Sequence, residues 1–183
     1  MGIILVDMDG VIADYVGGIE RELSHAGIDP IPRSMMTRYD FSVYSKEAQE
    51  FIEEIPQRRG FFYSLKPVEG ALEGVIELST QDEVFICSAP KISSRYCHSE
   101  KSEWIKNHLG KEFCKRLILA KDKTLVMGDI LLDDRPDVFG IAVPKWKQVL
   151  FRQPWNSHIQ EMPSFSWSEG IKRFYDIVRT LWD

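Results

Sequence analysis

The sequence predicts an α/β fold in which a parallel sheet is flanked by helices. Short apolar runs alternate with longer amphipathic stretches along the 183-residue chain. Several of these runs end at acidic or hydroxyl residues, as strands do when a functional site lies at their ends. The alternation contains no internal repeat or low-complexity tract. One domain with a full hydrophobic core and a small inserted lobe therefore accounts for the length.

Five short apolar runs are the candidate strands of this sheet. They cover residues 2–6, 83–87, 116–119, 130–132 and 148–151. Three helices are predicted between and after them, over residues 68–79, over residues 100–109 before Gly110, and from Ser166 or Ser168 towards Trp182. The last helix repeats apolar residues at helical spacing, so we expect one face of it to pack against the sheet.

Residues 16–66 depart from the alternation and are expected to form a mainly helical insertion. The segment is rich in aromatic residues, has helical periodicity around residues 19–23 and 48–55, and contains Pro30 and Pro32. It follows the first strand directly, where a lid over the carboxyl edge of the sheet would lie. The sequence thus predicts a core of residues 1–15 and 67–183 and a helical cap of residues 16–66.

The composition is that of an ordinary globular protein, with 44% hydrophobic and 28% charged residues. The formal net charge is −5 and the basic residues are scattered. A nucleic-acid-binding surface would need a clustered basic footprint, so polymeric nucleic acid is not an expected partner. An anionic ligand must instead be attracted locally.

The cysteines and the first residues indicate a cytoplasmic protein. The three cysteines, Cys87, Cys97 and Cys114, lack the spacing of a zinc site or a secreted disulfide framework, which favours a reducing compartment. The first apolar run is broken at Asp7, too early for a signal peptide or a membrane span, and no membrane partner is predicted. The sequence leaves open whether the chain forms a homodimer.

The first chemical motif is Asp7-Met8-Asp9-Gly10, directly after the first predicted strand. Two carboxylates at this spacing reach one site only if the chain leaves the extended conformation, and Gly10 permits that turn. A turn or helix cap that uses acidic residues accounts for this motif equally well when it stands alone.

The second motif is the pair Asp133-Asp134, which again follows a strand that the sequence predicts to be buried. If these acids met those of the first motif, like charges about 4 Å apart would repel by roughly 4 kcal/mol at an effective dielectric of about 20. A cation is then needed, and all-oxygen ligation suits Mg²⁺. The alternative is a solvated turn before Arg135-Pro136.

Two further residues are suited to binding phosphate. Ser88 directly follows the second predicted strand, where its hydroxyl and the following N–H can hold phosphate oxygens. Lys123 precedes the acidic pair and can bind phosphate or offset the charge of a carboxylate, and Lys121 is the alternative. Either residue alone is common in turns and on surfaces.

Taken in order, the D-x-D-G motif, the serine, the lysine and the acidic pair resemble the four signature motifs of the haloacid dehalogenase (HAD) superfamily. Longer stretches resemble the 5′(3′)-deoxyribonucleotidases, namely residues 6–15, 96–97 with 100–101, 122–124, 132–137 and 166–168. The resemblance implies a Rossmann-like core with a small helical cap after the first strand. It also implies a Mg²⁺-dependent phosphomonoesterase that dephosphorylates deoxyribonucleoside monophosphates through a phosphoaspartate.

The resemblance further implies roles for the acidic residues. Asp7 resembles the nucleophile and a metal ligand. Asp9 resembles the general acid/base, which also gives the metal a backbone carbonyl. Asp134 resembles the other direct metal ligand. Asp133 would then contact the metal through a water molecule, or would be the direct ligand instead of Asp134. A different register of the last motif would make Asp129 a ligand.

The substrate-binding residues follow in the same way. Ser88 and Lys123 match the phosphate-binding pair, Lys101 resembles a further phosphate or substrate contact, and Tyr15 occupies the position of an aromatic residue in the base and sugar pocket. Other aromatic residues could complete an apolar wall against the 2′ position of the sugar, namely Phe61, Phe62 and Tyr63. Ala89 stands where relatives can have a second hydroxyl.

Two alternative functions remain at the level of the sequence. The first is a HAD phosphatase for another small phosphate ester, because the core motifs determine the reaction and the cap determines the substrate. The second is a non-catalytic module that binds phosphate. The two differ in whether the chain turns over any phosphate ester.

Overall fold

In the computed structural model, which describes residues 2–181, six parallel strands form one sheet. The strands are β1 Ile3–Val6, β2 Glu83–Ser88, β3 Leu117–Leu119, β4 Ile130–Asp133, β5 Lys147–Phe151 and β6 Ser164–Phe165. The helices are α1 Tyr15–His25, α2 Lys46–Glu54, α3 Ala71–Leu78, α4 Cys97–His108, α5 Lys111–Cys114 and α6 Ile171–Thr180. Short 3₁₀ turns include Lys123–Leu125, Pro154–Asn156 and Trp167–Glu169. The α/β prediction is confirmed.

The sheet order is β3-β2-β1-β4-β5-β6, with β1 near the centre. Val6, the last residue of β1, pairs with Ile86 of β2 on one side and Leu132 of β4 on the other. The carboxyl ends of these three parallel strands therefore meet at one edge. The residues that follow them come together there.

The predicted strands agree with the structure to within one residue at each end. Most of their residues are apolar and buried. One face of the sheet shares a hydrophobic cluster with α3, α4 and α6, whereas Leu5, Cys87 and Leu131 on the other face pack with Trp146 from the loop before β5. Strand β6 is not predicted from the sequence, since two residues carry no periodic signal. Among the described residues, no helix is long and apolar enough to cross a membrane.

The predicted helices are present with shifted starts. The helix predicted from residue 68 begins at Ala71, because Gly70 has a φ of +74° that ends the preceding turn. Helix α4 begins one turn earlier than predicted, at Cys97. The final helix α6 follows a 3₁₀ turn, and the predicted end at Trp182 lies outside the described residues.

Residues 16–66 contain α2, all but the first residue of α1 and short turns, and residues 26–45 between the two helices are largely irregular. The chain enters and leaves this segment at adjacent positions, where Asp14 N donates to Lys66 O and Val68 N donates to Ile12 O, each at 2.8–2.9 Å. A segment whose two ends lie next to each other has the arrangement of an insertion. The division of the chain into a core and a cap remains a prediction.

Candidate active site

A tight turn after β1 carries the first acidic motif. Asp7 N continues the sheet by donating to Leu132 O at 2.9 Å, and Met8 O then accepts hydrogen bonds from residues 11–13. Gly10 has a φ of +81°, and a Cβ atom there would lie 2.6 Å from Asp134 Oδ2. Both the backbone conformation and the close approach require glycine, and the turn directs Asp7 and Asp9 into one cavity.

Asp7, Asp133 and Asp134 form a buried carboxylate cluster in which one oxygen from each residue lies within 4.8 Å of the others. Lys123 Nζ lies 2.8 Å from Asp7 Oδ1 and 2.6 Å from Asp133 Oδ2. Three carboxylates and one ammonium leave two negative charges, which a divalent cation would neutralise. The cluster therefore fits such a cation by charge and by its oxygen donors.

The pKa values of these groups reflect the same crowding. Burial, followed by the charges of Asp133 and Asp7, raises the pKa of Asp134 well above its ordinary value. Burial alone would lower the pKa of Lys123, but the two carboxylates beside it raise the pKa above its ordinary value. Asp7 and Asp133 therefore favour the charged form of Lys123.

The hydrogen bonds distinguish Asp134 from Asp133. Both oxygens of Asp133 are engaged, with Oδ2 on Lys123 and Oδ1 accepting from Arg135 N at 2.9 Å. Asp134 Oδ2 accepts from Trp155 Nε1 at 3.0 Å, whereas no hydrogen bond among the described residues reaches its Oδ1. An oxygen without a donor is available to a metal, which favours Asp134 as a direct ligand.

Asp9 lies beside the cluster and is held by a buried lysine. Lys101 Nζ donates to Asp9 Oδ2 at 2.6 Å and to Ser88 Oγ at 2.7 Å, and its side chain is fully buried. Asp9 Oδ1 is buried without a hydrogen-bond partner among the described residues. Burial raises the pKa of Asp9 above its ordinary value, Lys101 acts against this, and Asp7 adds to it.

Lys101 occupies a different place from the predicted one. Its ammonium contacts Asp9 and Ser88 from within the protein and does not line the cavity. A buried lysine in this position can orient the two groups that face the substrate. Lys101 is thus better suited to positioning Asp9 and Ser88 than to direct substrate contact.

The cavity has a volume of about 390 Å³ and both polar and apolar lining residues. The acidic cluster and Ser88 belong to the polar part of the lining. The apolar part of the lining is made by Tyr15, Val16, Phe41, Ile52 and the exposed ring of Phe139. A ligand with a phosphate and an uncharged ring system matches this division.

Among the aromatic residues predicted for the wall, only Tyr15 lines the cavity. Phe61 and Phe62 are buried behind it, with ring centroids 5.5 Å and 6.2 Å from that of Tyr15. Tyr63 is 48% exposed and lies outside the lining. Phe61 and Phe62 therefore support the wall from behind.

Two contacts across the cavity mouth were not anticipated from the sequence. Lys91 forms an ion pair with Glu53 of α2, and both residues line the cavity. Arg135 stacks on Tyr39 at 4.2 Å and donates a hydrogen bond to its hydroxyl at 2.7 Å. Lys91 and Arg135 are close in sequence to Ser88 and to the acidic pair, which could have indicated that they lie near the site. No feature of the sequence indicated their partners Glu53 and Tyr39 in the insertion.

The remaining alternatives differ clearly in position. Asp129 lies at the amino end of β4, where its Oδ2 accepts from Ile3 N at 2.7 Å, on the edge of the sheet opposite to the cluster. Lys121 is exposed at the cavity mouth, whereas Lys123 is 5% exposed and contacts two of the carboxylates.

The fold is similar to that of solved haloacid dehalogenase-like hydrolases, which match nearly the whole chain. One from Streptococcus pneumoniae has a TM-score of 0.58 at 13% identity, covering 95% of this chain and 98% of its own. Another, from Xanthomonas campestris, has a TM-score of 0.55 at 10% identity, covering 98% and 97%. These similarities show the fold.

The family follows from the sequence comparison. The model described as "5' nucleotidase, deoxy (Pyrimidine), cytosolic type C protein" matches residues 1–179, and the chain belongs to this family. The human cytosolic 5′(3′)-deoxyribonucleotidase is 34% identical over 96% of this chain and 94% of its own length. The human mitochondrial 5′(3′)-deoxyribonucleotidase is 35% identical over 96% of this chain and 83% of its own.

Proposed function

We propose that this protein is a Mg²⁺-dependent 5′(3′)-deoxyribonucleotidase that hydrolyses deoxyribonucleoside monophosphates through a phosphoaspartate on Asp7. The observation that carries the proposal is the cluster of Asp7, Asp133 and Asp134 with Lys123 in a cavity whose lining also has an apolar part. Membership of the deoxyribonucleotidase family supports the same activity.

The residues proposed to hold the metal are Asp7, Asp134 and the backbone carbonyl of Asp9, with Asp133 beside them. Their donors are all oxygens, which suits Mg²⁺. A bound Mg²⁺ would supply positive charge next to the phosphoryl oxygens and reduce the repulsion between them and the nucleophile. The engaged oxygens of Asp133 make it the residue that holds Lys123 in place.

In the proposed reaction, a carboxylate oxygen of Asp7 attacks phosphorus while the bond from phosphorus to the ester oxygen breaks. Asp9 gives its proton to the leaving 5′ or 3′ oxygen, and the alcohol departs. Asp9 then takes a proton from water, which attacks phosphorus and releases phosphate and the Asp7 carboxylate. Ser88 and Lys123 hold the phosphoryl oxygens in both steps.

The environment of Asp9 supports this role. The acid step requires a protonated carboxyl, and burial together with Asp7 raises the pKa of Asp9. The oxygen of Asp9 that Lys101 does not bind is buried and has no hydrogen-bond partner among the described residues, so it lacks the partner that a leaving-group oxygen or a water would supply. Lys101 limits the rise in pKa, so Asp9 can also act as a base.

Preference for deoxyribose is proposed to come from the apolar part of the cavity lining. Tyr15, Phe41 and Ile52 offer carbon surface and few hydrogen-bonding groups. A ribose 2′-hydroxyl against this surface would lose its hydration without a replacement hydrogen bond. We propose that residues 16–66 act as the cap that supplies this wall, and that the protein works on free nucleotides in the cytoplasm.

The test is a panel of phosphate monoesters assayed with Mg²⁺. We expect higher kcat/KM for dUMP and dTMP than for UMP and for sugar phosphates, and no turnover by Asp7→Asn. Equal rates for nucleotides and sugar phosphates would favour a phosphatase for other small esters. Absence of turnover by the wild-type protein on the whole panel would favour the non-catalytic phosphate-binding module.

A further inference from the structure

Glu100 is a buried carboxylate that lies outside the acidic cluster and outside the cavity lining. It lies near the start of α4, is 6% exposed, and accepts hydrogen bonds from Gly60 N at 2.5 Å and Phe62 N at 3.1 Å. A buried carboxylate is tolerated where hydrogen bonds replace its lost hydration. Glu100 therefore fixes a turn of the predicted cap to a helix that packs on the sheet.

The turn that Glu100 holds supports the wall of the cavity. It places Phe61 and Phe62 in edge-to-face contact, with ring centroids 5.1 Å apart. Both rings are buried and pack against Tyr15, and Tyr15 lines the cavity. A displacement of the turn would move the support of Tyr15, because closely packed rings leave no free space to absorb it.

The next residue of the same helix reaches the proposed catalytic residues. Lys101 donates to Asp9 and Ser88, and its Nζ lies 5.4 Å from the centroid of the Phe62 ring. Of these two consecutive residues of α4, Glu100 binds the turn behind Tyr15 and Lys101 binds Asp9, the proposed acid/base. The helix thereby connects the turn that supports Tyr15 with Asp9 and Ser88.

We propose that Glu100 is a positioning residue that aligns the Tyr15 wall with Asp9. A nucleoside that packs on the apolar part of the lining then presents its ester oxygen to Asp9. This inference rests on the proposed function and adds a residue that determines specificity. A small alkyl phosphate without a base uses only the polar part, so it is independent of the alignment.

The experiment compares dUMP with glycerol 3-phosphate, which is also an ester of a primary alcohol but lacks a base. Glu100→Gln keeps the size of the side chain and weakens its hydrogen bonds to the turn. We expect KM for dUMP to rise about tenfold, as for the weakening of one charge-assisted hydrogen bond. We expect kcat/KM for glycerol 3-phosphate to stay within about twofold, so the selectivity for dUMP falls.

The matched control is Glu103→Gln, an exposed glutamate on the same helix, which should leave both substrates unchanged. If Glu100→Gln lowers kcat/KM equally for both substrates, Glu100 gives structural support only and the inference is overturned. If kcat/KM changes for neither substrate, the inference is overturned as well. The wild-type selectivity is measured first. If the wild-type protein does not prefer dUMP, the proposed function fails, whereas an effect missing only in the variant contradicts the role of Glu100 alone.

A second variant keeps the test decisive if Glu100→Gln does not fold. Phe61→Leu removes the ring that meets Tyr15 edge-on and should produce the same split between the two substrates. Phe113→Leu, a partly buried phenylalanine on α5, is its control and should not change the selectivity. An unchanged selectivity in Phe61→Leu overturns the inference. If both variants fold, their effects on selectivity should not add, because they disturb one chain of contacts.

Discussion

The Nζ atom of Lys101 lies 2.6 Å from Asp9 Oδ2 and is completely buried. The same ammonium donates to Ser88 Oγ at 2.7 Å, so one cation orients a group proposed for proton transfer and a group proposed for phosphate binding. Asp9 is 25% exposed and keeps its other oxygen without a partner among the described residues. The contact with Lys101 therefore fixes the carboxyl group of Asp9 and leaves its Oδ1 atom for the proposed proton transfer.

Lys101→Met should lower kcat by roughly 100-fold, the lower end of what general acid–base catalysis contributes. The substitution preserves the length of the side chain but removes the charge that orients Asp9. Steady-state kinetics at saturating substrate, on protein shown to be folded by circular dichroism, would measure the effect. Lys106→Met, on the exposed side of the same helix, is the control and should change kcat by less than about twofold. Equal kcat values in the two variants would show that Lys101 does not position Asp9.

Lys123→Met should reduce kcat/KM by about 10²–10³-fold, as expected for a preorganised cation at the site of charge development. Lys123 is buried against Asp7 and Asp133, whereas Lys121 is exposed at the cavity mouth. Lys121→Met should therefore cost less than about tenfold, as for an exposed charge. Steady-state kinetics on both variants decide between the two lysines, and a larger loss for Lys121→Met would reverse the assignment.

Asp134→Asn should raise the Mg²⁺ concentration needed for half-maximal activity by at least about 100-fold, because it alters a proposed direct ligand. Asp133→Asn should affect Mg²⁺ affinity less and thermal stability more, since it presents an amide to the buried ammonium of Lys123. The Mg²⁺ dependence of the melting temperature measures affinity without turnover. A greater loss of affinity in Asp133→Asn would make Asp133 the direct ligand. Removal of the metal with EDTA should abolish activity reversibly.

Trp155→Phe should weaken Mg²⁺ binding by about 10–100-fold, the usual effect of losing a partner of a metal ligand. The indole donates to Asp134 Oδ2 and thereby orients the carboxylate so that Oδ1 is available. Isothermal titration with Mg²⁺ measures the change. Trp104→Phe is the control, because it loses an indole hydrogen bond to Leu65 O instead, and it should leave the affinity unchanged. An unaltered affinity in Trp155→Phe would exclude the role.

The sequence was sufficient to predict which residues meet at the carboxyl edge of the sheet. Asp7, Ser88 and Asp133 each end or follow a short apolar run, and in a parallel sheet such positions converge. The same argument separates Asp129, which precedes its strand and lies at the opposite edge. Lys123 was favoured over Lys121 only by resemblance, since burial depends on how the loop packs.

The contacts that sequence reasoning missed depend on packing between distant segments. Trp155 reaches Asp134 from a loop 21 residues further along the chain. Lys101 was expected at the substrate, but the direction of its side chain is set by how α4 packs on the sheet. The backbone conformation of residues 26–45 is largely irregular, so no periodic pattern indicated that Tyr39 would meet Arg135.

The proposed mechanism requires that Asp7 becomes phosphorylated during turnover. Its most direct test is rapid quenching of the wild-type protein with ³²P-labelled dUMP and Mg²⁺, followed by mass spectrometry of the labelled peptide. The proposed mechanism predicts one acyl phosphate per chain on the peptide containing Asp7, released by hydroxylamine and absent in Asp7→Asn. Turnover by Asp7→Asn at the wild-type rate, or labelling at a different residue, would contradict it.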